Sequence, residues 1–474
     1  MPDALHIRHA RDDGADASSG IRASASVSNR IDIGNDNGID TSMDGVERCA
    51  GIHHAEGAMT TRYDVLVIGA GPAGLAAAQA ASAQGLRVGV VDDNPLVGGQ
   101  IWRGGPQQQK DRRAHRVWND LHNAANVEML AQARALYAPA RGELLVQTPL
   151  SSSVLRYDRL ILTTGARERL LPFPGWTLPG VTGASGLQAL AKGGYPVSGK
   201  RVVVAGSGPL LLAVAATLKE RGAHVVAIIE QAALPQLAHF AAGLLATPSK
   251  IAQALQLRRQ LRGVPYYSDS YVRSAHGDTL LQEITIERAG TIQTLACDYL
   301  ACGYGLLPNL ELALSLGCTI EDPAVKVDDW QQTSADNIWC AGEGSGVGGV
   351  DLALAEGRIA GLAAADRRDL AQRHFSDRAR WQAFAARLAR AFVLRPELRG
   401  LANDDTIVCR CEDVCHGELR QHRSWRSAKL HTRCGMGPCQ GRICGGATDL
   451  LYGWRPDAVR VPISPARAGS IIAS

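Results

Sequence analysis

The sequence predicts an α/β protein made of two dinucleotide-binding units, with a small cysteine-rich domain at its C-terminal end. Three observations predict it. A strand, glycine turn, helix and second strand run from Tyr63 to Asp92 around Gly69-Ala-Gly-Pro-Ala-Gly74. A degenerate copy of the same pattern runs from Arg201 to Glu230. Six of the eleven cysteines fall between Cys409 and Cys444.

At 474 residues, 46% of them hydrophobic, the chain has room for about three domains with proper cores. A net charge of +4 is too small to argue for a nucleic-acid partner. Residues 75–83 are too short to span a membrane, and 202–218 are broken by Gly206-Ser-Gly-Pro209, so no transmembrane segment is expected. Residues 1–58 are rich in Asp, Gly, Ser, Ala and Asn and lack apolar periodicity. They read as a disordered extension, or as a misassigned start, because Met59 stands directly before the first strand. They also lack the apolar segment of a signal peptide. A cytoplasmic location is expected, with any membrane contact peripheral and made through a complex.

The first unit opens with the β-prone run 65–68, which leads straight into the glycine turn. An Ala-rich helical run, 75–83, follows, and 88–91 reads as a second buried strand ending at Asp92. In such a unit Gly69 makes the tight turn, Gly71 lets the backbone approach a pyrophosphate, and Gly74 lets helix and strand pack closely. The free N–H groups at the helix start face the phosphates. Asp92, eighteen residues past Gly74, is placed to take ribose hydroxyls.

Beyond it stand Gly98-Gly99-Gln100 and Arg103. Adjacent glycines there let the backbone crowd a flat, bulky ligand, which suits FAD better than NAD; the plainer reading is an ordinary glycine-rich loop. An apolar strand then ends at Thr164-Gly165, expected against the adenosine part of the flavin nucleotide. Residues 172–179, with three prolines, read as a rigid connection. No C-x-x-C occurs between residues 60 and 400, which argues against thiol–disulfide exchange.

In the second unit the third glycine of the turn is replaced by Leu211. A bulky side chain there pushes the helix from the strand or fills the pocket. Whether this unit holds NAD(P), another adenine nucleotide or nothing is left open. Cys297, Cys302 and Cys318 have no neighbours at ligand spacing and read as small buried hydrophobes. The run 337–343 then returns a strand that ends at Gly342 and Glu343, ahead of a helix over 351–365. In two-dinucleotide flavoproteins an acid here accepts hydrogen bonds from the ribityl chain, and the next helix aims its N-terminus at the flavin's pyrimidine. Residues 367–395 read as a basic amphipathic helix packed on a neighbour, stopped by Pro396.

The last domain holds Cys409-Arg-Cys411 and Cys434-Gly-Met-Gly-Pro-Cys439-Gln-Gly-Arg-Ile-Cys444. Soft thiolates in two close groups suit an iron–sulfur cluster or zinc. Zinc would be inert. Beside a two-electron flavin, a one-electron [2Fe–2S] centre makes more chemical sense. Five cysteines compete for four positions, and spacing leaves the choice open.

Taken together, Gly69–Gly74, Gly98-Gly-Gln100, Gly342-Glu343 with the segment 348–358, and Thr432-Arg-Cys-Gly-Met-Gly-Pro-Cys-Gln-Gly-Arg442 resemble a known family. It comprises the FAD-containing subunits of opine oxidases, of hydrogen cyanide synthase and of dye-linked proline or hydroxyproline dehydrogenases. The resemblance covers about residues 60–474 and implies a two-dinucleotide-binding-domain flavoprotein of the glutathione-reductase type. The last domain is similar to bacterioferritin-associated ferredoxin, with a longer second cysteine spacing. Anaerobic glycerol-3-phosphate dehydrogenases carry a similar Cys-Gln-Gly-x-x-Cys. That favours Cys409, Cys411, Cys439 and Cys444 as ligands, with Cys434 the alternative. Most relatives carry Asp where this chain has Glu343.

The expected domains are an FAD-binding domain over 59–195 and 308–395, an inserted NAD-like Rossmann domain over 196–307, and the [2Fe–2S] domain over 402–474. The resemblance implies an electron-transfer subunit of a hetero-oligomeric amino-acid or opine dehydrogenase. Its partner would be an amino-acid-oxidase-like FAD subunit that oxidises a C–N bond, often joined by a small ferredoxin-like subunit. The alternative is a self-sufficient NAD(P)H-dependent flavin and iron–sulfur reductase; a redox-inactive scaffold is a third reading.

Overall fold

A computed structural model describes residues 61–105, 109–456 and 459–472. The N-terminal extension, 1–58, lies outside the described residues.

The first sheet is ordered Val127–Leu130, Val88–Val91, Arg62–Ile68, Ser152–Leu162, Glu143–Gln147, Arg134–Tyr137. Its first four strands are parallel. The long strand Ser152–Leu162 changes partners along its length. Residues 152–156 pair antiparallel with Glu143–Gln147, while 160–162 pair parallel with the returning strand Ile338–Cys340. The runs 65–68, 88–91 and 160–162 are apolar on both faces because the sheet is covered on both sides there.

On one face lie two helices, Pro72–Ser82 and Val350–Ala364, packed unusually close. A Cβ added to Gly357 would stand 2.2 Å from the Ala73 carbonyl oxygen, and one added to Gly361 would stand 2.3 Å from that of Ala77. Alanines on one helix and glycines on the other bring the backbones together, and so fix the second helix's start over the first glycine turn.

The second sheet is all parallel, in the order Tyr266–Tyr267, His224–Glu230, Arg201–Gly206, Tyr299–Gly303, Val181–Gly183. Its last strand, and the helix Ala184–Lys192 that follows, precede residue 196, so this sheet draws on residues that the sequence assigns to the first domain. Two helices, Leu234–Gly243 and Pro248–Gln260, extend from the second sheet towards the first unit. Lys250 meets Asp351 at 2.7 Å, and the Phe240 ring packs against Phe384 and Phe392. The basic segment after residue 367 is two helices, Arg368–Ala371 and Phe375–Ala391, linked by a short turn.

Residues 170–179 are a connection anchored in the second unit's core. Leu171, Phe173 and Trp176 are buried in the second unit's core, and Trp176 Nε1 donates to the Ile407 carbonyl at 2.6 Å. The cysteine-rich domain thus hangs on the same connector. The chain end then returns to the first sheet, where Ile463 N donates to Leu136 O at 3.0 Å. No helix among the described residues is long and apolar enough to cross a membrane.

Candidate functional site

The residues picked out in the first unit converge at the carboxyl ends of its parallel strands. Arg62–Ile68 delivers Gly69, Val88–Val91 delivers Asp92, Ser152–Leu162 delivers Thr164 and Gly165, and Ile338–Cys340 delivers Gly342 and Glu343. Ligands of open α/β sheets bind in this crevice.

Gly69 and Gly74 are required by their surroundings. Gly69 has φ +107°, and a Cβ there would lie 2.3 Å from Thr163 O. A Cβ on Gly74 would lie 1.8 Å from Gly69 O. Gly71 differs: a Cβ there would meet no heavy atom within 4 Å. The space in front of Gly71 is therefore open, at the start of the helix Pro72–Ser82. Gly99, at φ +60°, approaches the same spot, its added Cβ 3.0 Å from the Gly71 Cα.

Asp92 organises the turn itself. Its Oδ2 accepts the Ala70 N–H at 2.6 Å, and Oδ1 accepts Asn94 N and Nδ2, both at 2.8 Å. The acid pins the glycine turn to the next loop and keeps lone pairs in reserve. Arg103 Nε donates to Gln100 Oε1 at 3.0 Å and Nη2 to Asn94 Oδ1 at 3.4 Å, so both residues brace this loop. Thr164 and Asn309 exchange two hydrogen bonds, Thr164 Oγ1 to Asn309 O at 2.8 Å and Asn309 Nδ2 to Thr164 O at 2.9 Å. Gly165, at φ +68°, has no heavy atom within 4 Å of an added Cβ.

Glu343 Oε1 accepts the Gly349 N–H at 3.0 Å, which fixes the loop before the helix Val350–Ala364. Its Oε2 is shielded from solvent and has no partner among the described residues. Burial raises its pKa. A shielded carboxylate oxygen without a donor, at the carboxyl end of the same sheet as Gly71 and Gly165, is what a hydroxylated cofactor chain would satisfy. These residues fit FAD. Two residues of this site had no signal of their own in the sequence. Glu356 is 3% exposed and accepts Gly342 N at 2.9 Å and Ser345 Oγ at 3.1 Å. Asn309 reads as an ordinary turn residue after Pro308.

In the cysteine-rich domain all five candidate thiols gather. A cavity of about 230 Å³ is lined by Cys409, Cys411, Cys439 and Cys444, with Leu170, Arg410 and Ile443 completing its wall. Cys434 does not line it, but its Sγ lies within 4.8 Å of those of Cys409 and Cys444, and among the described residues these three buried thiols are close enough to share one metal ion. Cys409 is held well below the usual thiol range by bonds from Cys434 and Cys444, and by the backbone N–H groups of Gly435 and Cys411. Cys439 is lowered by Cys444 and by the N–H groups of Ile443 and Gly441. Thiolates supported by loop N–H groups are a soft donor set that fits iron–sulfur or zinc. Cys297, Cys302 and Cys318 are buried singly, and burial pushes Cys297 up to about 12.

In the second unit Leu211 is fully buried and packs beside Gly303, filling the place of the missing glycine. Glu230 is buried, with its oxygens held by Gly208 N at 2.7 Å and Ala232 N at 2.9 Å, and burial raises it to about 7.

Comparison with known proteins agrees with this architecture. Residues 63–360 match the pyridine nucleotide-disulphide oxidoreductase family model. The chain is 32% identical to the A subunit of opine oxidase from Rhizobium meliloti, over 86% of this chain and 98% of that protein. It is 31% identical to the HcnB subunit of hydrogen cyanide synthase from Pseudomonas aeruginosa, over 84% and 96%. Among solved structures, L-proline dehydrogenase from P. horikoshii shares the fold with a TM-score of 0.62 at 19% identity, covering 88% of this chain and 81% of that one. The chain is an FAD-dependent oxidoreductase of the pyridine nucleotide-disulphide oxidoreductase family, grouped with the HcnB subunit of hydrogen cyanide synthase and its opine oxidase counterpart.

Proposed function

We propose that this chain is the electron-relay subunit of a hetero-oligomeric amino-acid or opine dehydrogenase. A partner flavoprotein of the amino-acid-oxidase type oxidises the C–N bond, and this chain passes the electrons to an acceptor. The observation that carries the proposal is the cavity lined by Cys409, Cys411, Cys439 and Cys444, built onto a flavoprotein body. The names of the relatives, both subunits of larger enzymes, support it.

When bound, FAD supplies two-electron chemistry and a [2Fe–2S] cluster one-electron chemistry. The chain's own residues hold and tune these groups. Gly71 and the first turn of the helix Pro72–Ser82 receive the pyrophosphate. Glu343 Oε2 accepts a hydrogen bond from the ribityl chain. The positive end of the helix Val350–Ala364 favours negative charge on the reduced ring. Cys409, Cys411, Cys439 and Cys444 would hold the cluster, and the N–H groups of residues 435, 441 and 443 would support the sulfurs of Cys409 and Cys439.

The test is reconstitution. This chain is expected to oxidise no amino acid or opine alone, and to support dye reduction once co-purified with an amino-acid-oxidase-like subunit from the same source. Full turnover by this chain alone would overturn the assignment.

A further inference from the structure

The two glycine turns can be compared position by position, although Gly71 has φ −75° and Gly208 φ +97°. Gly71 and Gly208 hold the same place in their motifs, where a dinucleotide's pyrophosphate comes closest to the backbone. In front of Gly71 the space is open, whereas the Phe392 ring stands at van der Waals distance in front of Gly208. A Cβ added there would stand 3.7 Å from Phe392 Cγ and 3.9 Å from its Cδ1.

Phe392 does not drift there by chance. Ser207 Oγ, in the same turn, donates to Phe392 O at 3.2 Å. Gln231, 2% exposed at the end of the next strand, grips the following residues with both ends of its amide. Its Nε2 donates to Val393 O at 3.1 Å and to Ser207 Oγ at 2.9 Å, and its Oε1 accepts Arg395 N at 3.0 Å. Arg395 is anchored in turn by Asp269 at 2.8 Å and Glu397 at 3.0 Å. The Phe392 ring packs on Phe240 with centroids 5.2 Å apart. Residues 392–395 thus form a strap across the turn and the adjacent strand end. It occupies Ser207 and Gln231, the polar side chains that flank the turn.

We infer that this strap is the built-in occupant of the second unit's dinucleotide crevice, and that Phe392 and Gln231 exclude nicotinamide and adenine nucleotides from it. The unit keeps its fold because the strap, with Leu211, replaces the packing a cofactor would give. Electrons therefore enter this chain by a route other than NAD(P)H bound at Gly206–Leu211. The strap blocks the second unit's crevice whether or not the partner and cluster assignments hold.

The test is equilibrium binding of NADH, NADPH and ATP to the flavin-loaded full chain, followed by calorimetry. The native chain is expected to show no saturable binding up to millimolar nucleotide. The double variant Phe392→Gly, Gln231→Ala, checked for native flavin content and melting temperature, is expected to bind at least tenfold more tightly. Hydrogen exchange of the native chain gives a second measurement independent of any variant. Residues 206–211 and 392–395 are expected to exchange alike with and without nucleotide. Saturable micromolar binding by the native chain, nucleotide protection of residues 206–211, or a folded double variant that gains nothing would each overturn the inference.

Discussion

Glu356 Oε2 accepts the Gly342 N–H at 2.9 Å, tying the middle of one helix to the loop that carries Glu343. Burial raises Glu356 to about 7, against the pull of Gly342, Ser345 and Arg378 and with a smaller push from Glu343. The folded protein therefore keeps a proton that the unfolded chain releases near 4.5. The stabilisation is full below that value and is lost as pH rises through about 7. The shift corresponds to on the order of 3 kcal/mol. Glu230, raised to about 7 by burial, contributes in the same sense. Glu356→Gln is expected to remove part of the fall in stability between pH 5 and 8. Denaturant unfolding at several pH values measures it, and an unchanged slope would contradict the assignment.

Gly71 and Gly74 should respond oppositely to alanine. Gly74→Ala forces a Cβ to 1.8 Å from Gly69 O, so folding itself is expected to suffer, by roughly 3 kcal/mol or more. Gly71→Ala meets nothing within 4 Å and should leave the melting temperature of the flavin-free protein unchanged. Its flavin affinity should fall at least tenfold. Thermal melts of apoprotein beside flavin titration separate the two effects.

The five thiols should also divide. Serine at Cys409, Cys411, Cys439 or Cys444 is expected to abolish bound iron. Serine at Cys434, which does not line the cavity, is expected to retain most of it. Iron analysis of anaerobically purified variants decides between this set and one that includes Cys434.

Asp351 is held between Arg113 at 2.6 Å and Lys250 at 2.7 Å, with its side chain 15% exposed. It joins the second unit's helix Pro248–Gln260 to the start of the helix Val350–Ala364. Asp351→Ala leaves the mostly covered Lys250 without its carboxylate partner, while Arg113 keeps Asp111 at 2.8 Å, and is expected to cost about 1–3 kcal/mol. Denaturant unfolding gives the value, and a loss indistinguishable from zero would show the latch to be idle.

Much of the site was legible because its chemistry is local in sequence. The turn Gly69–Gly74 and the acid Asp92 sit within one strand–helix–strand unit, and the thiol pairs announce themselves by spacing. What was missed depends on contacts between distant residues. Phe392 meets Ser207 across 185 positions, and nothing in an amphipathic helix end signals that its last ring will cover a glycine turn. Glu356 looks like any helix acid until Gly357 and Gly361 draw its helix onto Ala73 and Ala77 and bury it. The strand Val181–Gly183 has only three residues, too few to show a period, so the second sheet begins earlier than composition indicates.

The most direct test of the relay is spectroscopic. The chain, purified without oxygen, should show flavin absorbance together with iron–sulfur absorbance. After dithionite it should give the EPR signal of a reduced [2Fe–2S] cluster in near-equal amount to the flavin. A colourless preparation carrying zinc, with no signal on reduction, would contradict it.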